Sequence, residues 1–491
     1  MKTKKIWGLA LIIVAASTLA SCSIVRGYRA DGKSGPDIYS FEHHVHDTID
    51  NGTFPFRFPY AKQQAIWIDT LHFFNQGKHY KNTTLQEAVT GKTDTQGVLV
   101  IQNDSIIYEK YWGDISADRM ATVFSVSKSI TSLLCGIAVD EGCIKNVDDA
   151  VTDYLPELKK RDPMWQRLTI RHLLNMQSGL DFDDTYSLRL KHFKRLNAMA
   201  KLNYGHNMMK QIRGLKFRCE PGKEYCYESM TSEILGVIIE RATGRRYADY
   251  LSEKVWKPLQ MESPAIINID SRKHDVAHAF GGISCTMLDL AKIGRLYLNR
   301  GVWNGKRIVS EEWIRQSTDY ATDNDGYHFN WYNLSSIGAD KPQYPGFYAH
   351  GIRGQVLYVN PYKNLIMVRI GKHDNTYAFI PFLFEQLSNS AVLSEIRQGA
   401  PVLVSGSDLY KKHYVLGFEV NTEYRGHCWL IDGAKELIRT MTDYSIYGEV
   451  EGISYEKKYY LHCNFGWSGN FDGYYYDGVF NHLKLITGIR K

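Results

Sequence analysis

The chain has 491 residues, 44% of them apolar and 23% charged, and carries a net charge of +6. That length suits two or three domains, and the composition is ordinary for a protein with a sizeable core. No basic stretch interleaved with aromatic residues is present, which speaks against nucleic acid as a partner.

In chain order, Met1-Lys2-Thr3-Lys4-Lys5 precedes an apolar run from Ile6 to Leu19. A charged start and an apolar stretch too short to span a bilayer form the layout of a secretory signal. It ends in Leu19-Ala20-Ser21-Cys22, which resembles the bacterial lipobox. The resemblance implies that residues 1–22 are a lipoprotein signal peptide, cleaved before Cys22, with a lipid on the Cys22 thiol. It further implies a cell-envelope protein held on a membrane and facing the periplasm or the cell surface. Residues 23–58 read as a tether, because Gly, Arg, Asp, Lys and Pro dominate 23–40 with little periodicity.

Of the eight cysteines, seven follow Cys22, an odd number that cannot all pair within one chain. Cys219 and Cys226 flank Pro221-Gly222 and suit either a bridge or two free thiols. No cysteine or histidine spacing suggests a zinc site, and no cofactor is expected.

Residues 93–113 read as strand, turn and strand, with Asn103-Asp104 at the turn. The Ser125 helix follows, and 136–222 reads as mostly helical. Residues 229–243 form another apolar-periodic helix ending near Gly244. Ala279-Phe280-Gly281-Gly282 reads as a tight turn, with a helix over 288–298 after it. From Gly346 to Ile370 the pattern is β again, and Phe379–Leu387 reads as a closing helix. Strands at both ends of a helical insert imply an α+β fold. It has one antiparallel sheet built from distant segments, a helical lobe, and a cleft between them. The domain occupies 59–395. Beyond a boundary near 395, residues 396–491 are rich in Tyr, Gly and Phe and read as a small antiparallel β module.

The chain is organised around Phe124-Ser125-Val126-Ser127-Lys128. Three residues apart on a helix, Ser125 and Lys128 share a face, so the amine reaches the hydroxyl. A serine is a poor nucleophile until a neighbouring base takes its proton. The apolar run after Lys128 buries this helix, and a lysine there needs a reason. Tyr225-Cys226-Tyr227-Glu228-Ser229, just after Glu220-Pro221-Gly222, supplies a phenol ahead of the next helix.

Ser125-x-x-Lys128, Tyr227-x-Ser229 and Ala349-His350-Gly351, in that order, resemble the three motifs of serine β-lactamase-related hydrolases. The group includes penicillin-binding proteins, D-alanyl-D-alanine carboxypeptidases, esterases and 6-aminohexanoate-dimer hydrolases. Supporting stretches are Tyr154-Leu155-Pro156-Glu157-Leu158, His172-Leu173-Leu174 through Ser178-Gly179-Leu180, and Gly281-Gly282 through Asp289-Leu290. The resemblance covers about residues 60–392 and implies the β-lactamase/transpeptidase-like fold. It also implies a Ser125 acyl-enzyme on a small ester, amide or peptide substrate. Lys128 and Tyr227 would move the proton, and the N–H groups of Ser125 and Ile352 would hold the oxyanion. Ser229, His350, Gly351 and Trp331 would line the substrate cleft.

Two departures stand out. Ser229 occupies the usual asparagine position, and no lysine occupies the third motif. Fixing that motif on Gly354-Gln355 gives Ala349-His350-Gly351, while one residue of slip puts His350 at the lysine position. Either register favours an esterase, amidase or peptidase over a strict β-lactamase. It also keeps open a slow-acylating or inactive binding protein.

Arg425-Gly426-His427-Cys428-Trp429-Leu430-Ile431-Asp432-Gly433 and His462-Cys463-Asn464-Phe465-Gly466-Trp467 resemble the C-terminal half of streptopain-like cysteine peptidases over about 398–491. The resemblance implies that His427 matches the catalytic histidine and Trp467 the loop packed beside it. The half of that fold bearing the nucleophilic cysteine is missing. The region therefore reads as a non-catalytic module, or as half a site completed by a second chain.

Overall fold

The computed structural model describes residues 23–32, 35–62, 94–184, 193–318, 326–333 and 346–373, short pieces between 64 and 84, and strands between 402 and 486. It divides into two compact units, Met1–Glu385 and Gln386–Lys491. The expected closing helix over Phe379–Leu387 lies outside the described residues, as do Cys22 and the signal segment.

The first unit begins with helix α1 (Ser23–Asp31) and strand β1 (His46–Ile49). The hairpin β2 (Thr95–Gln102) and β3 (Ser105–Tyr111) follows, then the short β4 (Ala121–Thr122) and helix α2 (Val126–Asp140). Short helices lead to α3 (Phe193–Tyr204) and α4 (Ser229–Thr243). Strands β5 (Ala265–Asn268) and β6 (Ile283–Cys285) precede α5 (Met287–Leu298). The unit's last described strands are β7 (Tyr327–His328), β8 (Trp331–Asn333), β9 (Phe347–Gly351), β10 (Gln355–Asn360) and β11 (Leu365–Gly371).

The main sheet has seven strands in the order β7-β8-β9-β10-β11-β2-β3, so the first hairpin completes a sheet built from the far end of the unit. Its pairs are antiparallel. Runs of Val, Ile and Leu in β2, β10 and β11 suit strands buried on both faces. Asn103 and Asp104 turn the first hairpin with φ of 51° and 58°, the left-handed pair such a two-residue turn requires. Helix α2 is buried from Val126 to Ala138, consistent with the apolar stripe in its sequence. Gly244, at φ 67°, ends α4 by donating its N–H to Glu240 O at 2.9 Å. The expected fold, sheet plus helical lobe, is the one found.

The tether reading of 23–58 is corrected. Strand β1 pairs with β5 in a second sheet of order β1-β5-β6-β4, and α1 packs on α3. Arg26 Nε donates to Tyr204 O at 2.8 Å, and Asp31 accepts from the Tyr204 hydroxyl at 2.5 Å. Asp47 accepts from Arg272 at 2.7 Å and Arg246 at 3.0 Å. These partners lie far along the chain, which is why local periodicity did not show them.

In the second unit the described strands are β12 (Val402–Val415), β13 (Phe418–Tyr444), β14 (Val450–Asn464), β15 (Gly473–Tyr476) and β16 (Phe480–Ile486). They form one antiparallel sheet in the order β15-β14-β13-β12-β16. His427 and Cys428 lie on its central strand, opposite Gly406 and Ser405. Trp467 lies outside the described residues.

Candidate active site

Ser125 stands at the N-terminal end of α2 with helical φ and ψ, and its hydroxyl makes no capping bond. Instead Lys128 Nζ donates to Ser125 Oγ at 2.9 Å. The same Nζ donates to the Phe280 carbonyl at 2.8 Å, so the amine is held between the turn after Ala279 and the serine. Phe124, just before the serine, sits at φ 47°. A non-glycine residue there costs about 1–3 kcal/mol and is commonly kept where it serves a site.

Lys128 is 1% exposed. Burial pulls its ammonium down to about 8, while the carboxylates of Asp184 and Glu233 pull partly back. A lysine so placed gives up its proton near neutral pH, as a base must.

Tyr227 is half-buried, and Lys128 Nζ lies 5.2 Å from the centre of its ring. Tyr327 meets that ring edge-on at 5.9 Å and Tyr332 stacks on it at 6.4 Å. The phenol is thereby held in an aromatic wall beside the amine.

Strand β9 pairs with β8 at Phe347 and Tyr348, and Ala349–Gly351 runs on past it toward the start of α2. Register pairs Gly351 with Gln355 and His350 with Val356. A Cβ on Gly351 would stand 2.5 Å from Val123 O and 3.1 Å from Ser125 N, so only glycine allows this approach. Gly351 is therefore the residue set against Ser125. Strand alternation turns the buried His350 to the opposite face. Ile352 follows at the rim in a tight turn. Buried Arg369 fixes that turn by donating to the carbonyls of Arg353 at 3.0 Å and Gly354 at 2.6 Å.

Trp331 is not in the cleft. It is 1% exposed and packs on Tyr297 at 4.4 Å and Phe347 at 5.3 Å. Its strand neighbour Tyr332 faces Tyr227 instead; an alternating strand sends adjacent residues to opposite sides.

Asp184 was missed by sequence reasoning. It accepts from Ser229 Oγ at 2.6 Å and from Ser229 N at 2.9 Å. Burial pushes its carboxyl up, against the pull of Lys128 and the Ser229 bonds. Only its position soon after Ser178-Gly179-Leu180 could have hinted at it. Glu228, beside Tyr227, is likewise pushed up by burial, to about 8, and accepts from Ser178 Oγ at 2.5 Å. Among the described residues no cluster of His, Cys, Asp and Glu is arranged to hold a metal, and no helix is long and apolar enough to cross a membrane.

Residues 83–377 match the beta-lactamase family, and residues 367–475 match the Peptidase C10 family. The 6-aminohexanoate-dimer hydrolase of Paenarthrobacter ureafaciens is 28% identical over 301 residues, 57% of this chain and 73% of that protein. A structure assigned as a 6-aminohexanoate-dimer hydrolase from Bacillus anthracis superposes with a TM-score of 0.62 at 20% identity, covering 73% of this chain and 92% of the other. A structure assigned as a beta-lactamase from Bacteroides dorei gives 0.50 at 18% identity, covering 62% and 95%. The Ser125–Lys128 pair thus sits in a fold shared with these proteins, and the chain belongs to the beta-lactamase family of serine hydrolases.

Proposed function

We propose that this chain is a cell-envelope serine hydrolase that cleaves an ester or amide bond through an acyl-enzyme on Ser125. The observation that carries the reading is the 2.9 Å bond between a buried Lys128 amine and the Ser125 hydroxyl. The neutral amine takes the hydroxyl proton as Oγ attacks the carbonyl carbon. The oxyanion is held by the N–H groups of Ser125 and Ile352, at the place where Gly351 meets the nucleophile. Tyr227 passes the proton to the leaving alkoxide or amine. Water then attacks the acyl group and restores Ser125. No lysine on β9 is available to pair a penicillin-type carboxylate, which favours short esters, amides or D-amino-acid peptides over β-lactams. The 6-aminohexanoate-dimer hydrolase likeness supports linear amides among them.

The lipobox-like Leu19-Ala20-Ser21-Cys22 supports a lipid anchor. The second unit is read as a non-catalytic β module, because the sequence shows no counterpart of the family's cysteine-bearing half.

The test is active-site labelling. Wild-type protein takes up a fluorophosphonate probe on Ser125 and turns over a short ester from a panel of esters, D-peptides and a cephalosporin. Ser125→Ala does neither. A second reading rests on the Ser229–Asp184 bond, which replaces the family's amide: a protein that acylates once and deacylates slowly. A burst of one equivalent followed by no turnover would select it.

A further inference from the structure

The mechanism uses the Phe280 carbonyl as the second anchor of Lys128, and that carbonyl belongs to the turn Ala277–Gly282. Behind this turn lies a buried acid–base pair whose only part so far is the pull of the Glu233 charge on the Lys128 ammonium. Glu233 is 0% exposed and His278 is 4% exposed. Glu233 Oε1 lies 3.4 Å from His278 Nδ1, and the Phe280 N–H points at Glu233 Oε2 at 3.5 Å. Burying a carboxylate is costly unless it is partnered, so a fully enclosed glutamate calls for a local cause.

Two further contacts place the pair under the turn. Gly236 lies three residues after Glu233 on α4, and a Cβ on it would stand 2.4 Å from Ala279 Cβ. The helix is therefore pressed directly on the turn. From the other side, Thr131 of α2 donates to Ala279 O at 2.8 Å. The turn is clamped between the helix that carries Ser125 and Lys128 and the helix that follows Tyr227.

We propose that Glu233 and His278 are positioning residues for catalysis: from α4 they fix the Ala277–Gly282 turn so that the Phe280 carbonyl holds the Lys128 amine against Ser125. The proposal rests on the Ser125–Lys128 reading. Glu233 Oε2 accepts from the Phe280 N–H, and His278 Nδ1 stands 3.4 Å from its other oxygen without a hydrogen bond between them. A residue that only filled space here would be replaced by leucine without effect on the reaction.

The experiment measures fluorophosphonate labelling of Ser125, and kcat and KM on the best ester, for wild type, Glu233→Leu, Glu233→Gln and His278→Leu. Glu233→Leu should slow labelling at least tenfold, with the loss in kcat and KM within twofold. Glu233→Gln keeps an oxygen for the Phe280 N–H and should recover to within about threefold of wild type. His278→Leu should fall between them, and it carries the test if Glu233→Leu does not fold. A folded leucine variant that labels within twofold of wild type would overturn the proposal, as would a glutamine variant no faster than leucine. Failure of wild type itself to label would instead remove the Ser125 mechanism, so the two failures are distinct.

Discussion

Ser229 gives both its hydroxyl and its backbone N–H to a single carboxylate, that of Asp184, at 2.6 and 2.9 Å. The hydroxyl stands where the family has a side-chain amide, and while that bond holds it is not a donor to substrate. Asp184 also faces Lys128 electrostatically, and it raises the ammonium that burial lowers. One buried carboxylate thus holds Ser229 and shifts the Lys128 ammonium.

Replacing Asp184 by Asn removes the anion and keeps the shape. The opposite charge that favoured the Lys128 ammonium is lost, so the midpoint of the rising limb in the pH–rate profile should move down by roughly one unit. A stopped-flow acylation profile checks it; an unmoved midpoint would show that Asp184 is neutral in the working enzyme.

In the proposed mechanism Lys128 acts as the neutral amine, so acylation should rise with pH through about 8. Lys128→Arg keeps the charge without a removable proton, and should retain less than about a hundredth of the rate. Activity close to wild type would reduce Lys128 to a fixed charge.

The same buried amine leaves a signature in stability. Its folded value lies below the ordinary lysine value of 10.5. Between about 8 and 10.5 the unfolded chain binds the extra proton, so stability should rise with pH across that window; below about 8 the full penalty is present. Urea midpoints at pH 7.5 and 10 should show this rise in wild type and a smaller one in Lys128→Met.

Gly351→Ala sets a methyl against Val123 O at 2.5 Å, where backbone meets backbone. Forcing the strand from the nucleophile should cost about 1–3 kcal/mol of stability and at least tenfold in kcat. Thermal melts together with ester kinetics read both; wild-type values in each would mean that β9 does not shape the oxyanion site.

In the second unit, His427→Ala and iodoacetamide treatment should leave esterase or amidase turnover within twofold. Casein should not be cleaved. Casein cleavage that His427→Ala abolishes would direct attention to Cys428 or to a second chain.

That Ser125, Lys128 and Tyr227 lie together was legible because the signals are local: a one-turn spacing on an apolar helix, and a tyrosine after a Pro-Gly turn. The seven-stranded sheet was legible from β-forming runs at the two ends of the first unit. Asp184 was not, because its bond to Ser229 joins residues whose proximity no periodicity encodes. Trp331 failed by one step of strand parity, since its neighbour Tyr332 takes the cleft side. At the third motif the packing adds Gly351, whose missing side chain lets the strand touch the backbone of Ser125. The N-terminal segment looked loose because its charged groups are hydrogen-bonded by Tyr204 and ion-paired with Arg246 and Arg272 from distant parts of the chain.

That segment changes what an anchor at Cys22 would mean. Ser23 already belongs to α1, β1 is a strand of the second sheet, and Arg353, next to Ile352, donates to Pro36 O at 2.7 Å. Ser23 is the residue next to Cys22 in the sequence, so if Cys22 carries a lipid as proposed, the enzyme would rest on the bilayer surface rather than swing from it on a leash. Its working radius would be that of the domain itself. Substrates would be those that come to the membrane face, and distant wall polymer would lie out of reach.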